Sequence, residues 1–160
     1  MDGRDAAHPF HPTAAILAWS GLLARSFRHW LGRELVSPAP GDEALARALY
    51  EAPWVVVSHG TEADPVLNYG NRAALALWDT DWTRFTRTPS RLTAEADLRQ
   101  ARAAVMARVA ARGYTEGYRG VRVTLRGRRF AIEDAVVWNV IDATGRHLGQ
   151  AATFAQWSYL

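Results

Sequence analysis

Arg129-Phe130-Ala131-Ile132-Glu133-Asp134-Ala135-Val136-Val137-Trp138-Asn139-Val140-Ile141 is the stretch on which the fold turns. It is β-branched and aromatic. Phe130, Ile132, Val136 and Trp138 alternate with Ala131, Ala135 and Val137, so a strand built from it has two mostly apolar faces, and both must be covered. Arg126-Gly127 precedes it and Asp142-Ala143-Thr144-Gly145 follows it, both turn-forming. The neighbouring runs Tyr118–Leu125 and His147–Trp157 therefore become its antiparallel partners, giving a three-stranded meander.

Working upstream, Thr93 is placed to cap a helix carrying Leu98, Ala101, Val105 and Val109 at spacings of three and four, with Gly113 as its stop. Asn71 caps a helix through Trp78, and Asp81–Phe85 forms a further helical turn. Trp54–Ser58 and Val66–Tyr69 read as two strands. Asp42 is the expected N-cap of a short helix ending near Tyr50, after the breaker Ser37-Pro38-Ala39-Pro40-Gly41. Ile16, Trp19, Leu23, Phe27 and Trp30 form one stripe of an amphipathic helix within 13–36. The expected fold is α+β: a five-stranded antiparallel sheet with helices on one face and the N-terminal amphipathic helix on the other, in the same chain or across a homodimer. Residues 1–12 read as a flexible tail, 13–36 as the helix and 42–157 as the main domain.

The chain has 160 residues, 49% hydrophobic and 22% charged, which suits one globular domain with room for a pocket. It has no cysteine, which excludes thiolate nucleophiles, iron–sulfur clusters and flavin–thiol adducts. All 19 basic residues are arginine, so lysine-bound PLP and Schiff-base chemistry are excluded as well. The net charge is +3 and the pI near 9.8, but the arginines are interspersed with 16 acids, which does not favour nucleic acid as a partner. Thr13–Ala24 is apolar yet too short for the roughly 20 residues of a membrane span, and no cationic leader opens the chain, so a cytoplasmic, membrane-free location is expected.

The strand and helix order, with the Asp-x-x-Gly turn, resembles a PAS domain. More narrowly, Ser58-His59-Gly60-Thr61-Glu62-Ala63-Asp64-Pro65, Asn68-Tyr69-Gly70-Asn71-Arg72, Ser90-Arg91-Leu92-Thr93-Ala94-Glu95, Ile132-Glu133-Asp134-Ala135-Val136-Val137-Trp138-Asn139 and Gly149-Gln150-Ala151-Ala152-Thr153-Phe154 resemble the MEKHLA family. The resemblance runs from about Ala44 to Trp157. It implies a PAS-like fold, a sensory or small-molecule-binding role, and kinship with the C-terminal module of plant homeodomain-leucine-zipper proteins. No homeodomain or zipper stands in this sequence, so direct DNA binding does not carry over. Many haem-binding PAS domains place an axial histidine on the helix corresponding to Leu98–Val109, which has none here, and this speaks against haem.

Candidate chemistry is sparse. His59 and Asp64 could form a base–orienter pair or two metal ligands, although His-Gly followed by Asp-Pro is also ordinary loop chemistry, and no third ligand suggests itself. Glu133 and Asp134, adjacent in an apolar strand, should point to opposite faces and leave at least one carboxylate desolvated, either as a general acid or paired with Arg72, Arg91 or Arg119. Asn139 shares a strand face with Glu133, and Gln150 carries an amide into an apolar strand, where it would bond a ligand or another amide. Arg91, ahead of a helix, could clamp an anion, with Ser58 and Asn68 at the pocket mouth.

The expected function is a PAS-like sensory module binding a small organic ligand in a central cavity and acting with a separate effector. A small cofactor-independent isomerase, lyase or hydrolase using His59 with Glu133 or Asp134 is the alternative. A weaker one is a dimeric or nucleic-acid-associated module using the arginines at 119, 122, 126, 128 and 129.

Overall fold

The computed structural model describes residues 13–160, so the expected tail and its two histidines lie outside the described residues. Thr13 opens α1 (Ala14–Leu31): its hydroxyl accepts from the Ile16 N–H at 3.2 Å, and Gly32 closes the helix at φ +69°. The breaker around Pro38 and Pro40 separates it from α2 (Asp42–Glu51), where Gly41 rather than Asp42 occupies the cap and Asp42 sits in the first turn. The strands β1 (Val55–His59) and β2 (Leu67–Gly70) follow, then α3 (Arg72–Leu77) and α4 (Trp82–Phe85).

Two short 3₁₀ turns, Ser90–Thr93 and Ala96–Leu98, lead into α5 (Arg99–Arg112). Thr93 does not cap that helix: its hydroxyl donates to the Ser90 carbonyl at 2.7 Å, and the helix begins six residues later. The chain ends in β3 (Tyr114–Val123), β4 (Arg129–Ile141), β5 (His147–Phe154) and β6 (Gln156–Tyr159). The sheet order is β2-β1-β5-β4-β3, all antiparallel, with β6 continuing beyond β5 along the first half of β4.

The two faces of β4 are not those that simple alternation predicts. Phe130 and Ile132 pack with Ala135 and Phe154 against Trp78 and Phe85, whereas Val136, Trp138 and Val140 pack with Leu23, Phe27 and Leu49. The cause is a kink across three strands. Asp134 adopts φ +52°, Gly117 in β3 adopts φ +65°, and the single strand expected over His147–Trp157 is broken at Ala155, opposite Asp134. A left-handed residue in a strand rotates the following side chains by one position, so inward residues are even-numbered before it and odd-numbered after it. Glu133 and Asp134 occupy the outside of this bulge and are both exposed, which corrects the expectation that one of them is desolvated.

The aromatic stripe of α1 covers the outer face within the same chain. The Phe27 and Trp138 rings meet edge to face at 5.0 Å, and the Ser26 hydroxyl donates to the Ile141 carbonyl while accepting from the Ile141 N–H. Each large apolar side chain so buried stabilises the fold by about 1.5–3 kcal/mol. On the inner face α3 and α4 contribute Leu77, Trp78 and Phe85, whereas α5 buries only Val109. That light packing leaves space beneath α5. No helix among the described residues is long and apolar enough to cross a membrane.

Candidate functional site

A cavity of about 60 Å³ lies under α5, walled by apolar groups of β1, β4 and β5 and by Trp78 and Phe85. His59, Arg102, Met106 and Gln150 separate it from an outer groove of about 530 Å³, lining both. The β1–β5 pairing sets His59 directly across from Gln150, and β4–β5 pairing sets Asn139 on the other side of Gln150. Gly149, next in line, admits no side chain because a Cβ would strike the His59 carbonyl.

Gln150 and Asn139 form one network reaching both layers of helices. The Gln150 amide donates to the Met106 carbonyl of α5 at 2.8 Å and to the Asn139 side-chain oxygen at 3.2 Å. Asn139 donates in turn to the Ala110 carbonyl at 3.1 Å, and its main-chain carbonyl accepts from the Trp30 indole of α1 at 2.9 Å. A buried amide without partners would cost about 1–3 kcal/mol. Here main-chain carbonyls of α5 supply acceptors.

Ser58 lines the cavity at the end of β1; its hydroxyl donates to Asn68 Oδ1 at 2.6 Å and accepts from the Trp19 indole at 2.9 Å. The polar atoms of Ser58 and Asn68 are thus engaged with each other and with α1. His59 Nδ1 lies 2.9 Å from the Gly60 carbonyl, which can only accept, so Nδ1 carries the proton. Burial holds the His59 pKa below its ordinary value, the Gly60 hydrogen bond opposes this, and the Arg102 cation adds to the lowering.

The other candidates are dispersed. Asp64 pairs with Arg91, whose Nε donates at 3.1 Å, rather than with His59; both ends of that pair are half-exposed in the outer groove. Glu133 faces Arg119 at 3.4 Å on the surface, a pair worth at most about 1 kcal/mol. Asn139 bonds α5 and Glu133 does not, so the two do not share the expected face. Neither Glu133 nor Asp134 lines the cavity with His59. Among the described residues no three His, Asp or Glu side chains cluster as metal ligands.

Two arginines in the cavity wall were not singled out as site residues by the sequence pattern. Arg102 sits one helical position from the anticipated stripe: the side of α5 turned to the sheet carries Arg102, Met106 and Val109. Arg122, expected in a surface cluster, is only 8% exposed and turned inward with Tyr118. Gly120 between them has the space that arrangement needs, since a Cβ there would meet the Tyr118 hydroxyl and the Arg122 guanidinium. The remaining arginines of that cluster are spread apart: Arg126 pairs with Asp79, Arg129 with Glu95, and Arg128 lies over the Tyr159 ring.

The MEKHLA domain profile matches residues 17–159. The homeobox-leucine zipper proteins ATHB-9 and REVOLUTA of Arabidopsis thaliana are 27% and 24% identical to this chain over 158 and 159 residues, 95% of its length. The chain spans only 18% of either plant protein. Among solved structures, a PAS domain from Colwellia psychrerythraea superposes with a TM-score of 0.60 at 12% identity, covering 72% of this chain and 92% of that one. A variant of the fungal photoreceptor VVD gives 0.57 at 13%, covering 84% and 93%. The PAS domain of a LuxR-family regulator from Burkholderia thailandensis, solved with ethanol, gives 0.52 at 14%, covering 71% and 95%. These likenesses establish the PAS fold.

Proposed function

This chain belongs to the MEKHLA domain family, and from that premise we propose that it is a sensory domain that binds a small organic molecule under α5 and works with a separate effector. The observation that carries this is the Gln150 amide, which lines the cavity while holding α5 and Asn139 together, with Asn139 bound to Trp30 on the opposite face. A ligand competing for the Gln150 amide loosens α5 and repositions Asn139, and the change reaches α1 through one hydrogen bond. Occupancy under the sheet is thereby readable above it. The ethanol-bound PAS domain of the Burkholderia regulator supports a small organic occupant for this fold. The plant relatives, in which the matching region is 18% of a homeobox-leucine zipper protein, support a domain that works alongside other modules. That effector, or a second copy of this chain, would read the exposed side of α1, where Arg25 and Arg28 stand.

Native mass spectrometry of the purified protein, with a thermal-shift screen of neutral and charged metabolites, identifies the occupant. The Trp30 indole N–H resonance should move on binding in the wild type and stay in place in Gln150→Leu. A Gln150→Leu protein whose Trp30 resonance still responds would remove Gln150 from the relay. Failure of any molecule to bind would make the cavity a packing defect.

A further inference from the structure

Arg102 and Arg122 lie in the wall of the same small cavity, yet neither has a carboxylate within ion-pair distance among the described residues. The contrast with the surface is plain. Exposed Arg91, Arg119 and Arg126 each hold an acid, while buried Arg122 and half-buried Arg102 do not. The Arg102 Nε–H is buried with no partner at all. Arg122 donates only to neutral oxygens, the Tyr118 hydroxyl at 2.8 Å and the Val121 carbonyl at 3.0 Å.

An uncompensated buried guanidinium is costly, and two that repel one another are costlier. Burial, with Arg122 adding to it, pushes the Arg102 pKa down to about 10, which still leaves it cationic at neutral pH. The surrounding wall offers another vacant donor, the Trp78 indole N–H, which also has no partner. Donors and positive charge are in excess. Beyond them the cavity is hydrocarbon, from Phe85, Ile132 and Phe154.

On the reading of this cavity as a ligand site, we propose that its ligand is an organic carboxylate, its anionic head held between Arg102 and Arg122 and its apolar body directed toward Trp78 and Phe85. The guanidinium fork matches a carboxylate's two oxygens, and an anion there cancels the repulsion between the arginines. Arg102 lines both the cavity and the outer groove, so it stands where an anion arriving from solvent meets the interior first. Arg91, the clamp anticipated from sequence, is already occupied by Asp64.

The test compares butyrate and benzoate with their uncharged amides, butyramide and benzamide, by titration calorimetry in carboxylate-free buffer. The acids should bind the wild type at least about tenfold more tightly than the amides, the scale of a charge-assisted hydrogen bond. Arg102→Met keeps the apolar stem and should erase that preference, whereas Arg108→Met, on the exposed side of the same helix, should retain it. Should Arg102→Met fail to fold, the acid-to-amide ratio of the wild type decides alone. Amides binding as well as acids, or a co-purified ligand with no anionic group, overturns the carboxylate while leaving the sensory reading intact. Binding by neither class, with nothing co-purified, overturns both.

Discussion

The indole N–H of Trp30 donates to the main-chain carbonyl of Asn139 at 2.9 Å, and the side chain of the same asparagine donates to the Ala110 carbonyl at 3.1 Å. One residue of β4 thus holds a helix on each face of the sheet. Trp30 also presses on Gly113, which ends α5 at φ +105° and would drive a Cβ into the indole ring. Gly113→Ala should therefore destabilise the fold by about 2–4 kcal/mol, combining backbone strain with a steric clash. Urea denaturation measures it. Pairing the change with Trp30→Ala should recover the steric part only, leaving a coupling of about 1 kcal/mol or more in a double-mutant cycle.

Asn71 is fully buried and uses both ends of its amide. Its oxygen accepts from the N–H groups of Val56 and Ala74, and its nitrogen donates to the carbonyls of Leu49 and Trp54. Asn71→Ala strands groups on three elements and should cost about 3 kcal/mol or more, well above the roughly 1 kcal/mol of an ordinary helix cap. Asn71→Asp should be no better, since a carboxylate cannot donate to the two carbonyls. A loss near 1 kcal/mol in chemical denaturation would reduce Asn71 to a cap.

Asp134 is exposed at φ +52°, so its place in the chain is conformational as much as chemical. Asp134→Gly should be neutral or stabilise by up to about 1 kcal/mol, while Asp134→Val should destabilise by about 1–2 kcal/mol. Thermal unfolding separates the two. Equal effects from glycine and valine would mean that the left-handed bulge does not persist in solution.

Burial first, and then the Arg102 charge, hold the His59 pKa below the ordinary 6.5, against the Gly60 hydrogen bond. The unfolded chain binds this proton more tightly than the folded one, so stability is complete above about pH 6.5 and is lost as pH falls through the folded value. The urea midpoint should drop between about pH 7 and 5, and His59→Gln should flatten that part of the profile. Asp142 acts lower: the Thr144 hydroxyl and the Arg146 N–H hold its carboxyl below 3.8, so its contribution disappears only beneath that value. A His59→Gln profile as steep as the wild type's would assign the transition elsewhere.

Local chemistry was enough to establish the layers. Both faces of Arg129–Ile141 are apolar, and the N-terminal amphipathic helix was the cover expected opposite α3 and α4, but whether in this chain or across a dimer was decided by the tertiary structure, which packs α1 on its own β4. Asn71 as a cap, Gly113 as a stop and the Asp142–Gly145 turn followed from short-range hydrogen bonding and backbone sterics, which a few adjacent residues specify. Ser58, His59 and Gln150 were candidates from the sequence and do line the cavity, but tertiary structure decided the rest of its wall. Alternation predicts a parity, but one left-handed residue at Asp134 reverses it for the rest of β4, and that conformation accompanies a kink shared by three strands rather than a local turn motif. The inward turn of Arg102 and Arg122 was equally invisible, because an arginine's apolar stem suits either side of a helix or strand, and the destination of its charged end depends on a cavity assembled from β1, β3, β4, β5 and α5.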